Sequence, residues 1–122
     1  MKQVLLTNFS NPSAPTLRVK FCDDFFSRFR GLMFTASLPK DHGILLVEPQ
    51  ESIINTSIHM FFMNFDIAVI WLSSHYKVVD ACYARAWRPL YKPRTPAKFV
   101  LETRTENLPF YHIGDEIQVH EI

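Results

Sequence analysis

The chain has 122 residues, 48% of them hydrophobic, with 13 lysines and arginines set against 12 aspartates and glutamates. That length suits one ordinary domain, and the apolar fraction excludes an intrinsically disordered chain. A formal net charge of +1 gives no electrostatic case for nucleic acid or an anionic membrane surface as partner.

The first nine residues hold no long apolar core and no small-residue cleavage site. They do not read as a signal peptide, so the expected location is cytoplasmic. Residues 3–9 read as a strand with Val4 and Leu6 on one side. Leu17 to Phe21 alternates with Arg18 and Lys20, and the turn residues of Ser10 to Pro15 make the two a hairpin. Asp23 or Asp24 caps a helix over about 24–34, with Phe25, Phe29 and Leu32 inward and Arg28 and Arg30 outward. Gly31 either permits close packing or ends a turn. Ile44 to Val47 is a short apolar strand, stopped at Pro49, which cannot donate to a ladder.

The longest apolar stretch runs from Ile58 to Leu72. It falls short of the roughly 20 residues that a bilayer span needs. Its β-branched and aromatic content reads as two short strands, 58–63 and 66–72, with a bend near Asn64 to Asp66. The second is apolar on both faces and belongs in the interior of a sheet. Tyr76 to Ala84 is the next strand, in a hairpin with it. Residues 87–96 contain Pro89, Pro93 and Pro96 with Arg88, Lys92 and Arg94, and form an extended surface loop. Strands follow at Ala97 to Thr103, with Phe99 and Leu101 inward, and after Ile113-Gly114-Asp115, with Ile117 and Val119 on one face. These elements predict one α+β, β-rich domain over 1–122. Seven or eight short strands form a curled, mostly antiparallel sheet, barrel- or sandwich-like, with one main helix and no βαβ units.

The chain resembles the domain-of-unknown-function family numbered 192, a family of bacteria and archaea. The resemblance rests on Arg28-Phe29-Arg30-Gly31-Leu32-Met33-Phe34, on Gly43-Ile44-Leu45-Leu46, on Ile58-His59-Met60-Phe61-Phe62-Met63 and on Phe65 to Leu72. Val78-Val79-Asp80, Val100-Leu101-Glu102 and Ile113 to Ile117 complete it, from about residue 17 to the end. It implies a compact, β-rich α+β domain and carries no established reaction.

His59 stands in an otherwise apolar stretch, where a buried imidazole needs a partner. Asp66 is the nearest isolated acid, and the two are the candidates for an acid–base pair; a structural histidine is the alternative. Arg85, Trp87, Arg88 and Tyr91 supply cationic forks and aromatic faces suited to a carboxylate or phosphate on a planar ligand. With His59, Phe61 and Met63 they form the expected ligand groove. The eleven phenylalanines are enough to line a groove as well as a core. Cys22 and Cys82 read as buried thiols. The five histidines lack metal-ligand spacing and the three glycines exclude a phosphate loop, so no metal or cofactor is expected. The expected function is a non-catalytic binding domain for a small anionic or peptide-like ligand. A small enzyme centred on His59 and a homodimerising interaction domain are the alternatives, with the protein a monomer or weak homodimer.

Overall fold

The computed structural model describes residues 2–122. Apolar alternation is realised as seven strands, β1 (Gln3–Asn8), β2 (Leu17–Cys22), β3 (His42–Ser52), β4 (Ile67–Leu72), β5 (Val78–Ala84), β6 (Ala97–Thr103) and β7 (Ile117–Glu121). A short helix, α1 (Phe25–Arg30), and a 3-10 helix at Thr105–Phe110 complete the regular elements. All seven strands form one sheet in the order β5-β4-β6-β3-β2-β1-β7.

The α+β, β-rich class stands, but the sheet corrects the expectation of a curled, barrel- or sandwich-like arrangement. Strands β5 and β7 are its two ends and share no ladder; one isolated bridge, Lys77 to Glu116, joins the residues just before them. The expectation of no βαβ unit is also corrected. Strands β2 and β3 run parallel, with Phe21 opposite Leu45. A parallel neighbour requires a crossover, and residues 23–41, containing α1, provide it. Every other pairing is antiparallel.

All six residues of β4 are buried. Ala68, Ile70 and Leu72 pack with Leu45, Phe99 and Leu101 on one face. Ile67, Val69 and Trp71 pack with Ile44, Leu46 and Val100 on the other. The expected first ribbon of the apolar stretch does not form. Strand β4 already pairs with β5 and β6, so the segment before it has no free edge to join. Phe62 adopts a left-handed backbone (φ 61°), which ends any extended run. Only Ile58 keeps a bridge, to Tyr91.

The helix is six residues long, shorter than predicted, and its orientation is reversed. Phe25, Phe26 and Phe29 are 75%, 74% and 59% exposed. Arg28 instead faces the protein, with its Nε 2.9 Å from the Glu48 carboxylate. A helix this short anchors one face, and the guanidinium takes it. Strand β3 passes through Pro49 because its ladder with β6 shifts register between Val47 and Ser52, where no proline N–H is required.

Strands β3 and β6 approach closely at Gly43, where an added Cβ would lie 2.6 Å from the Glu102 carbonyl oxygen. Gly43→Ala is expected to cost about 1–3 kcal/mol of stability. This would be read as a lower urea midpoint at constant slope; an unchanged midpoint would contradict the close approach.

Candidate functional site

Trp71 reaches through the core to build the site. Its indole N–H donates to the Thr56 carbonyl at 2.7 Å. The Ser57 hydroxyl donates to Ile53 O at 2.8 Å, which tightens the loop before it. Beyond that loop, Ile58 and Tyr91 exchange two backbone hydrogen bonds, Met60 N donates to Arg88 O, and Trp87 N donates to Met60 O. Residues 58–60 are thereby laced to the 87–91 loop. That loop is pinned at its far end by Asp80, which accepts from the Arg94 backbone N–H at 3.0 Å and from its guanidinium at 3.1 Å.

Helix α1 forms the facing wall. Asp24 caps it by accepting from Ser27 N at 2.9 Å, and Gly31 (φ 51°) ends it. Gly31 serves both roles read for it, because an added Cβ would also lie 3.2 Å from Glu102 Oε1. Between the walls lies a cleft of about 420 Å³. Phe25 and Phe29, then Asn55, Ser57 and His59, line its sides, with Leu46, Met63, Val100 and Glu102 deeper in.

Glu102 is the unusual group. It is 5% exposed, and its carboxylate has no hydrogen-bond or ion-pair partner among the described residues. Burial pushes its pKa up from 4.5 to about 7. Glu48, also in the cleft, differs because Arg28 neutralises it.

The seven residues expected to form a groove divide. His59 and Met63 line the cleft. His59 Nδ1 accepts the Phe61 N–H at 3.2 Å, and its ring packs 5.8 Å from that of Phe29 and 5.7 Å from that of Phe61. Phe61 is on the rim. Arg85, Trp87 and Arg88 are exposed and Tyr91 is half-buried, on the strip beside the cleft and not in its lining. Asp66 does not orient His59: its oxygens accept from Ala86 N at 2.8 Å and Tyr83 Oη at 2.9 Å, bonds that hold its pKa below the ordinary range. Cys22 is buried and Cys82 half-buried, and burial raises both thiol pKa values, that of Cys82 to about 11. Among the described residues no cluster of three or more potential ligands could hold a metal ion.

Sequence reasoning missed Arg28, Glu48 and Glu102. One available signal was a glutamate two residues after Val100, on the face of the 97–103 strand opposite Phe99 and Leu101. A second cluster also went unread. Phe34, Phe62 and Trp87 all have left-handed backbones; Phe34 stacks on Phe62 with centroids 5.0 Å apart, Trp87 meets Phe62 edge-on at 5.2 Å, and the three stand 62%, 46% and 57% exposed.

Residues 7–119 match the DUF192 family model, described as an uncharacterized ACR. The chain belongs to this family. The match begins ten residues earlier than the sequence motifs placed it. A UPF0127 protein of Thermococcus sibiricus is 43% identical over 115 residues, covering 93% of this chain and 73% of that protein. A UPF0127 protein of Thermococcus gammatolerans is 48% identical over 84 residues, and there the match spans about half (53%) of the relative's length and 69% of this DUF192 chain. Among solved structures, a proposed transcription regulator of Sinorhizobium meliloti superposes with a TM-score of 0.83 at 20% identity, over 97% of this chain and 92% of that one. A protein of unknown function from Novosphingobium aromaticivorans gives 0.80 at 17% identity, over 95% and 83%. At these identities the likeness is one of fold. No helix of the described residues is long and apolar enough to cross a membrane.

The folded state holds the Glu102 proton more tightly than the unfolded chain does. Its contribution to stability is therefore greatest below the unfolded value of 4.5 and declines as pH rises to about 7. Glu102→Gln should remove this dependence. The stability difference between variant and parent is expected to move in the variant's favour by on the order of 3 kcal/mol between pH 4 and pH 8. Urea melts at the two pH values measure it, and an equal difference at both would mean a solvated carboxyl.

Proposed function

We propose that this DUF192 domain is a binding domain whose cleft takes a small organic amine or a basic, peptide-like side chain, with Glu102 as the counter-charge. The observation that carries this reading is a buried carboxyl that opens on a cleft and has no partner of its own. Above pH 7 an unpaired buried carboxylate is costly, and a cation entering the cleft removes that cost. Arg28 does not do so, because Glu48 engages it, and among the described residues Arg30, which also lines the cleft, makes no ion pair with Glu102. The rings of Phe25, Phe29 and His59 suit the same ligand, since aromatic faces attract cations. An anion beside Glu102 is disfavoured by that unpaired carboxylate, so this reading departs from the anionic ligand expected from sequence. His59 is then a wall and not an acid–base catalyst, as Asp66 is engaged elsewhere.

Phenethylamine is a suitable probe, with 3-phenylpropionate as its anionic counterpart. Calorimetric titration should give saturable amine binding at pH 8, about tenfold weaker at pH 5.5 where Glu102 is neutral, and none in Glu102→Gln. His59→Ala should fold and bind more weakly. Preferential binding of phenylpropionate, or amine affinity indifferent to Glu102→Gln, would reject the reading.

The exposed Phe34, Phe62 and Trp87 cluster, with Leu90 at 58% exposure, supports a second reading, an interaction domain that self-associates through this face. Sedimentation should then show a concentration-dependent dimer that Trp87→Ser abolishes. A parent chain that stays monomeric at high concentration would dismiss this.

A further inference from the structure

A second cleft, of about 580 Å³, shares Arg30, Gly31 and Leu32 with the first but opens on the other side of α1. Phe26 and Ser27 line it, where Phe25, Arg28 and Phe29 line the Glu102 cleft.

Its charge is one-sided. Arg18 and Lys20 stand two apart on β2 and so face the same way. Arg30 joins them from the last turn of α1, and His42 from the start of β3. No aspartate or glutamate lines the cleft. Asp41, outside the lining, is engaged by His42 Nδ1 at 2.9 Å and feels the charge of Arg18 without bonding to it. Among the described residues the side chains of Arg18, Lys20 and Arg30 have no hydrogen-bonded or ion-paired carboxylate. Three cations lining one cleft with no carboxylate among them repel one another, and an anion seated between them relieves this. Thr35 and Ser37 also line this space, and hydroxyl donors suit oxyanions. The remaining wall is apolar, from Phe26, Leu38 and Ile44.

We propose that this cleft binds an organic dianion, a phosphate monoester or a dicarboxylate. The charged end would sit among Arg18, Lys20 and Arg30 and the apolar body against Phe26, Leu38 and Ile44. Two negative charges are called for because three cations line the cleft and, among the described residues, none makes an ion pair within the protein. The strand alternation of β2 explains why these cations lie here: the face that carries Cys22 into the core at one end carries Arg18 and Lys20 into the cleft at the other. This inference does not rest on the Glu102 reading.

The probes are phenyl phosphate and phthalate, followed through amide chemical shifts of the intact chain. Phenyl phosphate should give saturable shifts centred on Lys20, Phe26, Gly43 and Ile44. The Arg18→Ala/Lys20→Ala double variant, altered only at exposed positions, should weaken binding at least about tenfold. Arg18→Lys/Lys20→Arg, which keeps the charge, should retain most of the affinity. Glu102→Gln should bind phenyl phosphate as the parent does, so failure at either cleft is distinguishable from failure at the other. Equal affinity for phthalate supports a general dianion site, and weaker phthalate binding supports a phosphate-ester site. No saturation at millimolar phenyl phosphate, or unchanged affinity in the alanine double variant, would overturn the proposal.

Discussion

The structure depends on one constraint: the middle of the sheet is apolar on both faces. Strands β4 and β6 lie inside the strand order, and β4 leaves no residue exposed. Both faces must be shielded from water. On the side of Ile67, Val69 and Trp71 the helix among the described residues, α1, is too short and buries no residue of its own. Irregular chain from 32–38, 58–65 and 84–91 does the covering instead. Irregular chain brings unpaired peptide groups, which need partners once buried. The bonds from Trp71 to Thr56, from Asn64 to Thr35, from Phe34 N to Phe62 O and from Ala86 N to Asp66 supply them. A cover stitched in this way cannot be as dense as a packed helix, and clefts remain between its pieces.

Glu102 sits where that cover is thinnest. Strand β6 alternates Val100 and Glu102 onto the covered face. A leucine there would continue the core, while the carboxyl instead destabilises the fold whenever it is ionised. Gly31, whose missing side chain leaves room beside Oε1, keeps the space in front of the carboxyl open. Two departures from good packing thus coincide at one point. The three clustered aromatics in left-handed backbone are a separate departure. Conformations of that kind cost on the order of 1 kcal/mol or more each, and the rings they present remain largely in water.

The near-neutral total charge hides a spatial separation. Glu48 and Glu102 lie in the cleft on one side of α1; Arg18, Lys20 and His42 line the cleft on the other. Arg30 lines both, so the helix is a partition with its basic end shared. It can be a partition because it is fastened at its ends, by the Asp24 cap and by Arg28 on Glu48 and the Val47 carbonyl, and its phenylalanines are not called on to anchor it.

The sequence by itself determined the strands whose alternation or two-sided apolarity is local, from Val4 and Leu6 through the Ile67 to Leu72 run to Ile117. It also determined the hairpins on either side of the Ser10 to Pro15 turn and the Ser73 to His75 turn, and the family. Periodicity and turn chemistry are encoded within a few residues, so they can be read without knowing what lies opposite. Tertiary structure alone decided that the sheet stays open, that β2 and β3 run parallel, and that residues 58–63 are excluded from the ladder because both edges of β4 are already taken. It also decided the site. His59 and Met63 were legible because their stretch is conspicuous in the chain. Glu102 was not, because a glutamate at a strand end reads as solvated until β3, Gly31 and the 55–59 loop are laid against it. Burial and charge partnership are properties of residues far apart in sequence, and only the packed chain brings them into contact.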